Sequence, residues 1–487
     1  MALPRPAGRS VVAAVALALA ITGGAVVAGG GDDGRDRPPP AVAAPGASLD
    51  GLRGGDLDRG VAALQSHLRA QPRDFGSWAT LGTAYVEQAR TRGDPSRYRE
   101  ADRALDRSLE LRPRNDAALA GRAALAAARH DFKGALRHAE SALAENPYNE
   151  GALASRIDAL VELGRYRAAA RAADEADARR PGVPVFTRYA YVRELRGDVA
   201  GARRALSRAV GSVSASAPGD VAYVATALGQ LAWRQGQYGE ALRQCGRALR
   251  ADASYLPALE CRARAWAGRG ETGRAIRALR EVVAQAPLPG PLLALGELYE
   301  ARGERAKARR QYALLSAGVS LARANGVNAD LDAAVALADH GDRRGALRAA
   351  QAEWKRRHTL HTADALAWTL HLNGRSDEAL PYARMATDTG FREASFMYHR
   401  AAIETATGSS GAGRRWASSA LDLNPGFSPT GAQEARELAG GDALRGFGRV
   451  GFSPTEAREL AGGDALRGFG RVGGKGLFGR PGMRGAR

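Results

Sequence analysis

Cysteine is nearly absent from this chain, with two residues in 487. That excludes a disulfide scaffold and a zinc module built on several thiolates. Aromatic residues make up only 6%, so a core must come from small and aliphatic side chains. Lysine is scarce as well. Of 70 basic residues only Lys133, Lys307, Lys355 and Lys475 are lysines. The arginine skew, with the alanine and glycine excess, has the look of a GC-rich genome. Catalytic signatures are missing too. HExxH, GxxxxGK[ST] and GxSxG do not occur. His358 and His361 lie three apart with His371 further on, but no carboxylate or thiol at ligand spacing completes a metal set. No metal and no cofactor is expected, and no enzyme. Long apolar runs are absent after residue 31.

What is present is charge and helix-forming composition. Apolar residues reach 45% and charged residues 25%, which is a globular balance. The net charge is +18, which invites a polyanion as partner. Arginine is spread along nearly every predicted helix instead of clustering on one element, and that speaks against nucleic acid.

The N-terminus reads as an anchor or export signal. Arg5 and Arg9 precede an uncharged stretch from Ser10 to Gly31 with its apolar heart at Val11–Ala28. About 20 apolar residues can span a bilayer, and upstream positive charge keeps the N-terminus cytoplasmic. The expected location is therefore a single-pass cell-membrane protein with its body outside the cytoplasm. Secretion after cleavage of a signal peptide is the alternative. Residues 32–56, rich in Gly, Pro and Asp, read as a disordered stalk.

The body carries a period. Turn glycines recur at Gly164, Gly197, Gly236, Gly270, Gly303, Gly341 and Gly374, spaced 33, 39, 34, 33, 38 and 33 apart. Five residues after each comes alanine: Ala169, Ala202, Ala241, Ala275, Ala308, Ala346 and Ala379. A close helix crossing requires a small side chain there. Pro72, Pro113, Pro147, Pro181, Pro287 and Pro425 are expected to end the second helices, because proline lacks the N–H and clashes with the preceding turn.

The residues Trp78, Leu81, Gly82, Tyr85, Ala101, Leu105, Ser108 and Pro113 resemble the tetratricopeptide repeat (TPR) family. So do Leu228, Gly229, Ala232, Gly236, Tyr238, Ala241, Cys245 and Ala248, and Leu292, Leu295, Gly296, Tyr299, Gly303, Ala308 and Tyr312. The resemblance spans residues 57–425, beginning with a half repeat. It implies an all-α, right-handed α-solenoid of about ten helix-turn-helix repeats; the N-terminal apolar stretch is expected to add one helix before them. It further implies a concave face lined by first helices, where ligands bind.

By register that face includes Glu87, Asp158, Glu162, Glu300, His361, Asp364 and His371. The preferred partner-binding groove is Tyr191, Glu194, Tyr223, Gln230, Trp233, Arg234, Glu260, Arg264, Glu297 and Trp368. Tyr, Trp and Arg are the types that supply binding hot spots, though Trp233 and Trp368 also suit an inter-repeat core. Cys245 and Cys261 fall on consecutive helices and can be bridged if their Cα atoms lie within about 7 Å; core thiols fit as well. The reading is a non-catalytic, membrane-anchored scaffold for an unidentified protein or peptide. The alternative is a secreted or surface binder of an anionic polymer, glycan or nucleic acid.

Residues 426–487 form a Gly- and Arg-rich tail. The segment from Phe427 to Gly451 is repeated almost unchanged from Phe452 to Gly473. Short helices are expected near Glu434–Leu444 and Glu456–Leu466.

Overall fold

The computed structural model describes residues 55–440, apart from 215 and 216. The expected N-terminal apolar helix, most of the stalk and the second tail copy lie outside these residues. Among the described residues no helix is long and apolar enough to cross a membrane, and no strand occurs.

A lone helix, α1 (Gly55–Ala70), leads into ten antiparallel hairpins. They are α2 (Phe75–Arg92) with α3 (Arg97–Leu111), α4 (Asp116–Ala128) with α5 (Phe132–Glu145), and α6 (Glu150–Glu162) with α7 (Tyr166–Arg179). Then come α8 (Val183–Leu195) with α9 (Val199–Ser212), α10 (Pro218–Arg234) with α11 (Tyr238–Ala251), and α12 (Leu256–Gly268) with α13 (Thr272–Gln285). The last four are α14 (Pro289–Ala301) with α15 (Arg305–Ala324), α16 (Asp330–Ala338) with α17 (Arg343–Arg356), α18 (Leu360–Leu372) with α19 (Ser376–Thr387), and α20 (Ala394–Ala406) with α21 (Ser410–Leu423). A short α22 (Gly431–Leu438) follows. Extensive helix-to-helix packing is confined to first and second neighbours along the chain. That is the one-dimensional logic of a repeat array.

Local chemistry explains the punctuation. Each of the six prolines sits two residues beyond the last residue of a helix. The residue before proline is driven out of the helical region, and Arg112, Asn146, Arg180, Ala286 and Asn424 are accordingly extended, with φ between −141° and −153°. The turn glycines adopt left-handed φ, for example +72° at Gly164 and +80° at Gly197. Gly341 is the exception, and its turn closes without positive φ. In the α4–α5 turn the left-handed place is taken by His130, with φ +60°. The crossing alanines are buried as required; Ala135, Ala169, Ala241, Ala275, Ala346 and Ala379 have no exposed surface.

The glycine of each Leu-Gly pair answers to its own hairpin. A Cβ on Gly82 would fall 2.6 Å from Leu105 of α3, and one on Gly229 would fall 2.7 Å from the Cys245 sulfur of α11. The longer 38-residue spacing from Gly303 to Gly341 is taken up by α15, which runs to 20 residues. Residues assigned to the tail by sequence also behave differently. The helix expected at Glu434–Leu444 begins three residues earlier, ends at Leu438, and packs Ala432 and Ala435 against Tyr398 and Leu421 of the final hairpin.

One feature is invisible to local pattern. The array winds back on itself, and turns within early hairpins meet loops between late ones. The Asn328 amide donates to the Arg129 carbonyl over 3.1 Å. Arg357 pairs with Glu162, and the Leu360 amide donates to the Tyr166 hydroxyl at 2.9 Å. Gly197 abuts Gly390. The Asn424 amide donates to the Trp233 carbonyl at 2.9 Å, and the Gly426 amide to the Tyr238 hydroxyl at 2.8 Å. These partners lie 188 to 195 residues apart in four of the contacts, so they form one continuous seam.

Candidate binding groove

The first helices α8, α10 and α12 place a crevice on the inner side of the winding. Five of the residues expected for the groove line it: Tyr191, Glu194, Tyr223, Gln230 and Arg234. Thr187, Thr226, Tyr255 and Pro257 line it too. Tyr255 and Pro257 were missed because they sit where the preceding loop enters α12, outside the first-helix register. The crevice offers about 30 Å³ to water-sized molecules, which is room for a water or two.

Its floor is electrostatically fixed. Arg234 donates in a bidentate fork to Glu194, with both nitrogen–oxygen distances at 2.7 Å. Burial works against the Arg234 charge, but the Glu194 carboxylate overcomes it and holds the guanidinium protonated. Below, Arg188 grips Asp158 at 2.7–2.9 Å in a fully buried fork. Burial, with Glu162 and Glu194 nearby, raises the Tyr191 phenol well above its ordinary range. The Tyr223 hydroxyl lies 3.3 Å from Thr187 Oγ1. The surface therefore presents neutral hydroxyls and amides over a neutralised ion-pair layer.

The remaining groove residues separate from this crevice. Trp233 donates its indole N–H to the Arg264 carbonyl at 3.2 Å, and the Arg264 guanidinium sits 5.6 Å above the same ring. Arg264 also binds Glu260 at 2.8 Å and reaches the Gly290 carbonyl at 3.3 Å. These three form a second, half-buried group. Glu297 faces Ser428, whose hydroxyl donates to it over 3.3 Å, and burial pushes its carboxyl up to about 7.

Trp368 departs from the expected role. It is 7% exposed, with His399 and His371 stacked on it at 4.2 and 5.2 Å and its indole N–H bonded to Asp339 at 3.0 Å. Its ring faces are already covered by these imidazoles, so it packs between repeats.

Among the other inward positions Glu87 pairs with Arg90, Glu162 with Arg357, and Asp364 with His399. Burial holds His361 down to about 4, and His358 stacks on Trp354 at 4.2 Å. Glu300 accepts from Tyr312 at 2.9 Å, and the His371 ring lies 3.0 Å from Ser376. Among the described residues no cluster of His, Cys, Asp and Glu is arranged to hold a metal. Cys245 and Cys261 are bonded as a disulfide that staples α11 to α12, their Cα atoms 6.2 Å apart.

No family model matches this chain, and no curated protein matches it. Solved structures do. A tetratricopeptide repeat protein of Parabacteroides merdae is 20% identical, covering 47% of this chain and 87% of its own, with a TM-score of 0.36. The human IFIT1 dimer with PPP-AAAA is 16% identical over 69% of this chain and 87% of its own, at 0.41. The Cut9–Hcn1 hetero-tetramer of the APC/C is 12% identical over 79% and 87%, at 0.37. At these scores the likeness says nothing of a partner. The class of protein, an all-α array of TPR-like stacked hairpins, stands on the chain's own helices.

Proposed function

We propose that this chain is a non-catalytic scaffold that binds a protein or peptide along the inner side of α8, α10 and α12. The observation that carries the reading is the crevice between those helices. Three successive repeats converge on one place Tyr191 from α8, Tyr223, Gln230 and Arg234 from α10, and Tyr255 with Pro257 from the start of α12. Tyrosine and arginine are the residues that concentrate binding energy at interfaces, and the Glu194–Arg234 fork holds them ready without a net charge. A partner would meet oriented hydroxyl and amide groups. Its own side chains would enter by displacing water and turning Tyr223.

The N-terminal apolar stretch supports a single-pass membrane anchor with the array outside the cytoplasm. The disulfide Cys245–Cys261 is consistent with that side of the membrane, since such bonds persist in oxidising compartments. A reporter fused after Asp50 is expected to be active only outside the cytoplasm.

The test is crosslinking of the full chain in its native cell, followed by partner identification, with the parent compared with Tyr223→Ala and Gln230→Ala variants. The expected result is a protein partner captured by the parent and lost at least tenfold in both variants, with thermal stability of the double variant within a few degrees. Retention of the same partner by both variants would refute the groove.

A further inference from the structure

A second surface lies on the opposite side of the hairpins. Two residues after the small crossing residue of each second helix, the same side chain returns. It is Arg137 on α5, Arg171 on α7, Arg204 on α9, Arg277 on α13, Arg310 on α15 and Arg415 on α21. Arg243 on α11 and Arg348 on α17 hold the same place, with side chains 71% and 70% exposed. In the nine hairpins from α4–α5 to α20–α21 only α19, with Pro381, breaks the row. Every one of these arginines is exposed. That follows from the helix period, since the position lies opposite the buried residues two places to either side.

The pairing of these charges is the informative part. Other exposed arginines on the same array commonly find a carboxylate three residues away, as in Arg107–Glu110, Arg274–Glu271 and Arg375–Glu378. Arg243 pairs with Glu240 and Arg348 with Asp342, while Arg137, Arg171, Arg204, Arg277, Arg310 and Arg415 make no ion pair among the described residues. Successive second helices are separated by an intervening first helix, so the rungs stand farther apart than directly packed helices. A row of like charge left mostly unmatched opposes compactness, and a chain of opposite charge laid along it would relieve that repulsion.

We infer that this arginine ladder is a docking surface for a flexible, linear acidic polysaccharide. Three features select that occupant. Single-stranded nucleic acid calls for aromatic stacking platforms; among the described residues Tyr148 is the one exposed large aromatic, and it is not on the ladder. Duplex DNA is stiff over about 150 base pairs, and a bilayer is nearly flat on the scale of one array. The ladder follows an array that winds back on itself, so either would touch only a few rungs. A flexible polysaccharide with an anionic group every one or two sugar units can follow the curve and bring charge to each rung. This inference stands apart from the groove, because it uses the opposite face.

The test is binding of linear polygalacturonate to the full chain, measured by titration calorimetry at two salt concentrations. Arg171→Glu/Arg204→Glu/Arg277→Glu removes three rungs. Arg69→Glu/Arg73→Glu/Arg392→Glu makes the same charge change on exposed residues of α1 and two loops, and both variants keep the basic tail. The expected result is at least about tenfold weaker binding and a shallower salt dependence for the ladder variant, with less than about threefold loss for the control. Circular dichroism checks that both remain folded. Equal losses in the two variants, no binding by the parent chain, or tighter ladder-dependent binding of a 20-base-pair DNA duplex or of phosphatidylglycerol vesicles would each overturn the inference.

Discussion

At the scale of single residues the array stores costly groups in defined places. Asp332 on α16 is 3% exposed, and its Oδ1 accepts no hydrogen bond from the described residues. Burial pushes its carboxyl up to about 7; Arg357 opposes the shift, while Glu353 and Glu162 add to it. A carboxyl with a folded value above its unfolded one binds more protons when folded. Its contribution is therefore fully present below about 4 and is lost as pH rises toward about 7. Asp332→Asn should raise stability at pH 8 by about 1–2 kcal/mol and flatten the fall between pH 4 and 7. Thermal melts of the two proteins across that range check the sign.

Gly296 offers the opposite case. A Cβ there would collide with the Tyr312 ring of its own hairpin. Gly296→Ala should cost about 1–3 kcal/mol, the usual penalty for overpacking, read as a lowered denaturation midpoint with an unchanged slope. Residue-scale legibility has a limit at Trp368. Its type and register announce an anchor equally well as a packing residue, and only the imidazoles stacked on it decide.

At the scale of elements the boundaries were readable because each has a local cause. Proline ended helices two residues upstream at every site expected, and alanine marked the crossings. The one hairpin turn lacking glycine, at His130, could not be found by a search for glycine, since histidine rarely takes positive φ. The seam was unreadable for a different reason. Its partners are separated by nearly 200 residues, and no periodicity links them. Two turn glycines isolate what the seam contributes. Gly164 and Gly303 share left-handed φ, +72° and +74°, so alanine costs each about 1–2 kcal/mol of backbone strain. At Gly303 the added methyl meets open space, whereas at Gly164 it would strike the His358 carbonyl across the seam. Gly164→Ala should therefore enlarge the radius of gyration seen by solution X-ray scattering, and Gly303→Ala should leave it unchanged. Equal radii for the two variants would mean that the seam does not hold the winding closed.

At the scale of the whole molecule, a chain with few large side chains cannot fill a broad core, so it stacks hairpins that each bury a narrow stripe. The register of glycine, alanine and proline made that architecture legible, along with five of the thirteen residues that line the inner crevice. What stayed hidden was the distribution of charge. A net +18 looks diffuse along the sequence, because the arginines of one row recur only once per repeat. Folding gathers eight of them into one outer row, six without an ion-pair partner among the described residues.

The most direct measurement is site-specific photocrosslinking in the native cell, with the crosslinker placed at Gln230 in the crevice or at Arg277 on the outer row. The account predicts a protein adduct from position 230 and none from position 277. A protein adduct from 277 alone would contradict it.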